Sequence, residues 1–335
     1  MLKKKSIEEV LNERILVLDG AMGTMLQKYK LSEADFRGDL FRNHELNLQG
    51  NNDILSLTQP QIVSEIHAAY LEAGADILET NTFSSTSIAQ ADYACENYVY
   101  ELNKQSALLA KQQADKFTSK DLDKPRYVAG AIGPTNKTAS LSPDVNNPGF
   151  RAISFDELYQ AYKEQARGLI DGGADLLLIE TVFDTLNAKA ALVAINDLFE
   201  AGYAKVPVSI SGTITDASGR TLSGQTAEAF LISVSHMNLL SIGFNCALGA
   251  SQLRPYLQVL ANKANCFVSA YPNAGLPNEM GEYDETPQKM ADQVKEYLDL
   301  GLVNIIGGCC GTGPEHIAAF ADLVQQYEPR KVELV

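Results

Sequence analysis

Two of the five cysteines in this 335-residue chain are neighbours, Cys309 and Cys310 in NIIGGCCGTGPEHI (304–317), and a third, Cys246, closes the apolar run SIGFNC (241–246). Five is an odd and sparse number for a disulfide framework, so the thiols read as reduced, as in a cytoplasmic protein. Three thiolates meeting at one point would form a soft site suited to zinc. With three protein ligands, the fourth tetrahedral position is left for a substrate, which is the pattern of a catalytic rather than a structural ion. Adjacent residues of a regular strand face opposite ways and could not share an ion, so the backbone has to turn at the pair. Gly307, Gly308 and Gly311 supply that freedom. The competing readings of the pair are a vicinal disulfide or plain core; Cys95 and Cys266, alone in apolar surroundings, read as packing.

Other polar residues stand where apolar runs stop: Asp19, Glu79 with Asn81, Glu180, Asn245 and Asn273. DGAMGT (19–24) lacks the spacing of a dinucleotide fingerprint and reads as a tight turn. Its backbone N–H groups could hold a carboxylate, and Asp19 beside them an ammonium. Glu79 and Glu180 end apolar segments, where a carboxylate is costly unless a cation meets it. His44, His67, His236 and His316 have no metal-ligand spacing and read as structural. No Ser–His–Asp arrangement, phosphate loop or dinucleotide motif stands out.

The elements that would position these groups are eight short apolar runs: ILVLDG (15–20), ADILETN (75–81), RYVAGAIG (126–133), ADLLLIET (174–181), PVSISGTI (207–214), SIGFNC (241–246), CFVSAYP (266–272) and NIIGGCC (304–310). Near-continuous hydrophobicity marks strands buried on both faces, as in a parallel sheet covered by helices. Helical patterns alternate with them at 60–74, 87–117, 153–173, 184–202, 226–240, 251–264, 286–301 and 313–327. EAGADILET (72–80) and DGGADLLLIET (171–181) echo each other from helix end to Glu-Thr, and DLGLVNIIGG (299–308) is a fainter copy. This count and order predict an α/β fold, a (β/α)8 TIM barrel, with strand-end residues on its catalytic face. The sixth and eighth strands then flank the seventh, which lets Cys246 meet Cys309 and Cys310. No composition break divides residues 1–335, so one domain is expected. Residues 28–59 read as an insertion after the first strand, and EPRKVELV (328–335) as a tail or linker.

A net charge of −15 disfavours nucleic acid and anionic membrane surfaces as partners. No stretch is long and apolar enough to span a bilayer, and the basic start MLKKK leads into no apolar targeting segment.

DGAMGT, ETNTF, GPTNKTASLSPDV, ADLLLIETVFDTLNAKAA, SGTITDASGRTLSGQT, GFNCALG, YPNAGLPN and IGGCCGT together resemble the homocysteine S-methyltransferase domain, specifically the N-terminal module of cobalamin-dependent methionine synthase, from about Arg14 to about Tyr327. The resemblance implies a (β/α)8 barrel that binds zinc through Cys246, Cys309 and Cys310. It implies a homocysteine thiol at the open zinc position, with the amino acid moiety near Asp19, Gly20, Ala21, Glu180 and Asn245. It further implies methylcobalamin as methyl donor, carried on a separate domain or protein, and a methyltetrahydrofolate-binding domain as a further partner. The chain contains no D-x-H-x-x-G cobalamin stretch. It therefore reads as a module of a longer protein, its 328–335 segment leading to the missing domains. The alternatives are a freestanding enzyme using betaine or S-methylmethionine, a non-catalytic thiol-binding module, and a lyase or hydrolase working through Glu79 and Glu180. SPDV and TLSGQT follow the cobalamin-dependent branch.

Overall fold

A computed structural model describes residues 4–215, 218–278 and 283–332. All eight apolar runs form strands: β1 (Leu16–Val17), β2 (Ile77–Glu79), β3 (Tyr127–Ile132), β4 (Leu176–Val182), β5 (Val208–Gly212), β6 (Ser241–Gly249), β7 (Phe267–Asn273) and β8 (Ile305–Ile306). Every strand pairs in parallel with its sequence neighbour from β2 to β8, and β8 pairs with β1. A parallel bridge between Leu18 and Ile77 closes the seam between β1 and β2. The result is the expected (β/α)8 barrel, with the strand C-termini gathered at one end, the upper end below.

Local sequence explains how each helix hands over to its strand. The helices Pro60–Glu72, Pro287–Asp299 and Pro314–Val324 begin on proline, whose fixed φ and missing N–H suit the first turn. Four helices are followed by a glycine at positive φ, Gly74, Gly173, Gly202 and Gly301, which reverses the chain into the next strand. The sequence echoes have a structural meaning here. Asp76 and Asp175, one residue past the Gly-Ala of each copy, accept from the N–H of Val17 and Val128 on the preceding strand at 2.9 Å each, while their own N–H groups donate back to the same residues. In the fainter copy Asn304 does the same to Val268 with a neutral side chain.

Two apolar layers result. One lies between the barrel and its surrounding helices; the other fills the barrel interior with Leu16, Leu18, Ile77, Leu176, Leu178 and Ile305. The helix Ile7–Glu13 plugs the lower end of the interior with Ile7, Val10 and Leu11. Its N-terminus is fixed by a capping box between Ser6 and Glu9, for which SIEE carries the signal in the sequence. Two helical expectations are shortened. The run at 226–240 stops at Val234, and that at 87–117 is interrupted at Ala94 (φ 51°) before the long helix Val99–Lys120. Arg330 donates to the carbonyls of Ala261, Ala264 and Cys266, which holds the chain beside it against the barrel. Asp216, Ala217 and residues 333–335, parts of the expected loop and tail, lie outside the described residues. Among the described residues no helix is long and apolar enough to cross a membrane.

Candidate metal centre and its acidic neighbourhood

β8 ends at Ile306, and Gly307 to Gly311 form the turn that the adjacent cysteines require. Gly307 N–H still donates to Ala270 and Cys309 N–H to Pro272, so the turn stays hooked to β7 while the strand has ended. Cys310 N–H donates to the side-chain oxygen of Asn273 (3.1 Å), and Gly311, at φ 82°, packs so closely that a β-carbon there would lie 2.2 Å from Tyr283. Only glycine fits. On the other side Cys246 (φ 58°) and Ala247 (φ 54°) take left-handed conformations inside a bulge, where the β6–β7 register shifts between Asn245 and Gly249. A bulge re-aims a side chain at a strand end.

The outcome is that the sulfur atoms of Cys246, Cys309 and Cys310 lie within 4.8 Å of one another, with Cys246 and Cys310 3.9 Å apart and no disulfide between them. Three thiols in such contact compete for one another's protons. Hydrogen bonds from Cys246 and Cys309 pull the Cys310 thiol down to about 3, and the same crowding together with burial holds Cys309 well above the ordinary thiol range. The Asn245 amide lies 3.9 Å from the Cys309 sulfur. A donor set of three converging sulfurs fits a soft divalent ion such as zinc. Cys95 is buried and Cys266 half-buried, both away from this cluster, and burial pushes each up to about 11.

Asn245, fully buried, is locked from three sides. Its oxygen accepts from Thr181 N–H (3.0 Å) and Ser211 Oγ (2.7 Å), and its Nδ2 donates to Thr181 Oγ1 (2.8 Å). Thr181 is itself left-handed (φ 54°), at the irregularity between β4 and β5. Strained or bulged backbone thus occurs on both strands that flank the cysteines from this side, β4 and β6.

Beside the sulfurs three carboxylates converge. Asp19 (2% exposed) accepts Glu79 N–H with both oxygens, at 3.2 and 3.1 Å, and Glu180 is 4% exposed. Burial pushes Asp19 and Glu180 well above the carboxylate range, with the charge of Glu79 next in both cases, and burial lifts Glu79 to about 8. Among the described residues no Lys, Arg or His forms an ion pair with any of the three. Glu79 Oε1 and Tyr271 Oη are buried without a hydrogen-bond partner. At the β1 turn, a β-carbon on Gly20 would meet Thr312 Oγ1 and the Tyr70 ring at 2.9 Å each. Ala21 N–H makes a long bond of 3.3 Å to Thr312 Oγ1.

The structure therefore gathers Cys246, Cys309, Cys310 and Asn245 in one contact set, and Asp19, Gly20 and Ala21 on the neighbouring turn. Thr181, Tyr271 and Tyr283 were not singled out from the sequence. Thr181 had a signal, since it follows Glu180 in the repeated Glu-Thr ending; the two tyrosines had none. The histidines stay outside: His67 is wholly buried and held neutral, its pKa down at about 4, while His316 accepts from Gly313 N–H at the start of the last helix.

The fold is shared with solved structures. The metallated form of the homocysteine methyltransferase MmuM from Escherichia coli superposes with a TM-score of 0.73 at 23% identity, covering 94% of this chain and 98% of that one. Its apo form gives 0.68 at 21% identity over 95% and 98%. A B12-independent methionine synthase from Shewanella sp. W3-18-1, in complex with selenomethionine, gives 0.50 at 13% identity over 84% and 91%. The sequence itself matches the homocysteine S-methyltransferase family model across residues 16–324, and the chain belongs to that family.

Proposed function

We propose that this chain methylates the thiol of homocysteine to give methionine, at a zinc ion held by Cys246, Cys309 and Cys310, with methylcobalamin as the methyl donor. The observation that carries the reading is the convergence of three sulfurs within 4.8 Å beside three carboxylates that have no cationic partner among the described residues. Zinc bound there would stabilise a substrate thiolate at neutral pH, where a free alkyl thiol with a pKa of about 8.5 is mostly protonated.

The chain's own residues supply the rest. Asp19 and Glu180 present buried carboxyl groups that the substrate ammonium would draw into their ionised form. The amides of Gly20 and Ala21, at the turn where the helix Met22–Gln27 begins, face the carboxylate. Asn245, immobilised by Thr181 and Ser211, keeps its Nδ2 toward the Cys309 sulfur and limits how that ligand can move. The pair-bearing turn is fixed by Asn273 and Thr312, whose side chain donates to Cys309 O at 2.7 Å.

The choice of methylcobalamin rests on SPDV and TLSGQT, and places the chain as one domain of a longer cytoplasmic protein, or with separate subunits, that bind cobalamin and methyltetrahydrofolate. A second reading is a freestanding enzyme using betaine or S-methylmethionine, since no D-x-H-x-x-G cobalamin stretch occurs in the sequence. Metal analysis followed by methyl transfer to homocysteine from free methylcobalamin, betaine and S-methylmethionine separates them. The proposal expects about one zinc per chain and turnover with methylcobalamin; turnover with betaine or S-methylmethionine alone selects the second reading, and zinc with bound homocysteine but no turnover from any donor leaves a thiol-binding module.

A further inference from the structure

The roles above leave Glu79 unused. It ends β2, its backbone N–H is spent on Asp19, and its side-chain Oε1 is buried with no partner. An orphaned carboxylate oxygen inside a barrel is costly unless a ligand completes it. Its carboxylate is also the neighbouring charge that weighs most on both Asp19 and Glu180, the two groups already assigned to the substrate ammonium.

We infer that Glu79 is a third carboxylate of the ammonium subsite, its unpartnered buried oxygen completed by the substrate's ammonium, so that it selects α-amino thiols over thiols lacking the amino group. The inference rests on the homocysteine reading above. Its charge balance is simple: a proton held by the group of three carboxyls leaves for solvent, and the positive charge of the ammonium takes its place. Three ionised carboxylates crowded together would repel one another, whereas protons held among them leave the empty pocket less charged. The groups facing Glu79 are Asp19 on the β1 turn, Tyr70 on the helix Pro60–Glu72, Glu180 on β4 and Tyr271 on β7. Among the described residues none of these neighbours is a cation that would keep Glu79 ionised without a ligand.

The test is titration calorimetry of the zinc-loaded chain with L-homocysteine and with 4-sulfanylbutanoate, which keeps the thiol and carboxylate but lacks the amine, for the wild type and Glu79→Gln between pH 6 and pH 9. Both ligands lose the same thiol proton, so the ratio of their affinities isolates the ammonium. In the wild type that ratio is expected to favour homocysteine and to rise with pH by up to about tenfold per unit for each proton the three carboxyls release to admit the ammonium. Glu79→Gln should cut the ratio at pH 8 by about 10- to 100-fold and flatten its pH dependence, while Glu79→Asp restores part of both. Equal weakening of both ligands in Glu79→Gln, or an unchanged ratio, overturns the role of Glu79. A wild type that binds neither ligand overturns the homocysteine reading along with it.

Discussion

At the lower end of the barrel Asp76 takes two hydrogen bonds from Arg14, at 2.8 and 2.9 Å, with Arg126 behind it, and Asp175 is held between Lys111 and Lys4 at 2.9 and 3.2 Å. At the upper end Asp19, Glu79 and Glu180 are packed together with no ion pair among the described residues. The same strands carry both sets, since Asp76 leads into β2 and Glu79 closes it, and Asp175 leads into β4, which contains Glu180. Below, each buried charge is neutralised by the chain; above, neutralisation is left to what binds. The backbone follows the same division. Lower turns at positive φ are glycine, whereas Thr181, Cys246 and Ala247 hold left-handed conformations with a side chain attached. In a (β/α)8 barrel this is the expected separation of a stabilising face from a reactive one, and here it can be followed along single strands.

The largest effect that would test the division is at the sulfurs. Cys310→Ser should reduce zinc from about one per chain to near zero after dialysis against a chelator, and abolish methyl transfer, because one of three thiolates is lost. The urea midpoint of the metal-free chain should hardly move. Full zinc retention in this variant would sink the three-sulfur centre. The mirror experiment is Asp76→Ala, which strands Arg14 and the buried Arg126 without their acid. It should lower stability by about 3 kcal/mol in urea denaturation, with zinc content unchanged. Zinc loss in Asp76→Ala at a temperature where the chain is still folded would mean that the two ends are coupled.

Much of this was legible in the sequence because it is written in short-range patterns. β1 to β8 coincide with the eight apolar runs, and the glycines around Cys309 and Cys310 announced a turn that a strand could not make. The echo of GAD and ET recorded both ends of β2 and β4 at once. What escaped depends on three-dimensional neighbours. Thr181 matters because Asn245, 64 residues away, reaches it. Tyr271 matters because its hydroxyl lies buried in the barrel's polar interior, and Tyr283 because it hydrogen-bonds Cys310. Nor could composition reveal that Asp76 has a guanidinium beside it while Glu180 has no cation among the described residues; both are acids at apolar strands.

The smallest effect tests the backbone half of the comparison. Ala247, at φ 54°, sits in the left-handed well, which an L-residue enters at a cost of about 1 kcal/mol. Ala247→Gly removes that cost, but it also gives the unfolded chain more freedom to lose, so a net gain of about 0.5 kcal/mol is expected in urea denaturation. At the lower end the reverse substitution behaves differently. Gly74 has φ 106°, outside that well, and a β-carbon there would lie 2.6 Å from the β-carbon of Ala321. Gly74→Ala should therefore cost more than about 1 kcal/mol. Zinc affinity decides what the strain at the upper end is for. If Ala247→Gly stabilises the fold and leaves zinc affinity within about threefold, the bulge is held by its hydrogen bonds and the β-carbon is incidental. If the fold gains stability while zinc binds about tenfold more weakly, the side chain at 247 limits the directions in which Cys246 can point, and the strain is the means by which the third sulfur is kept on target.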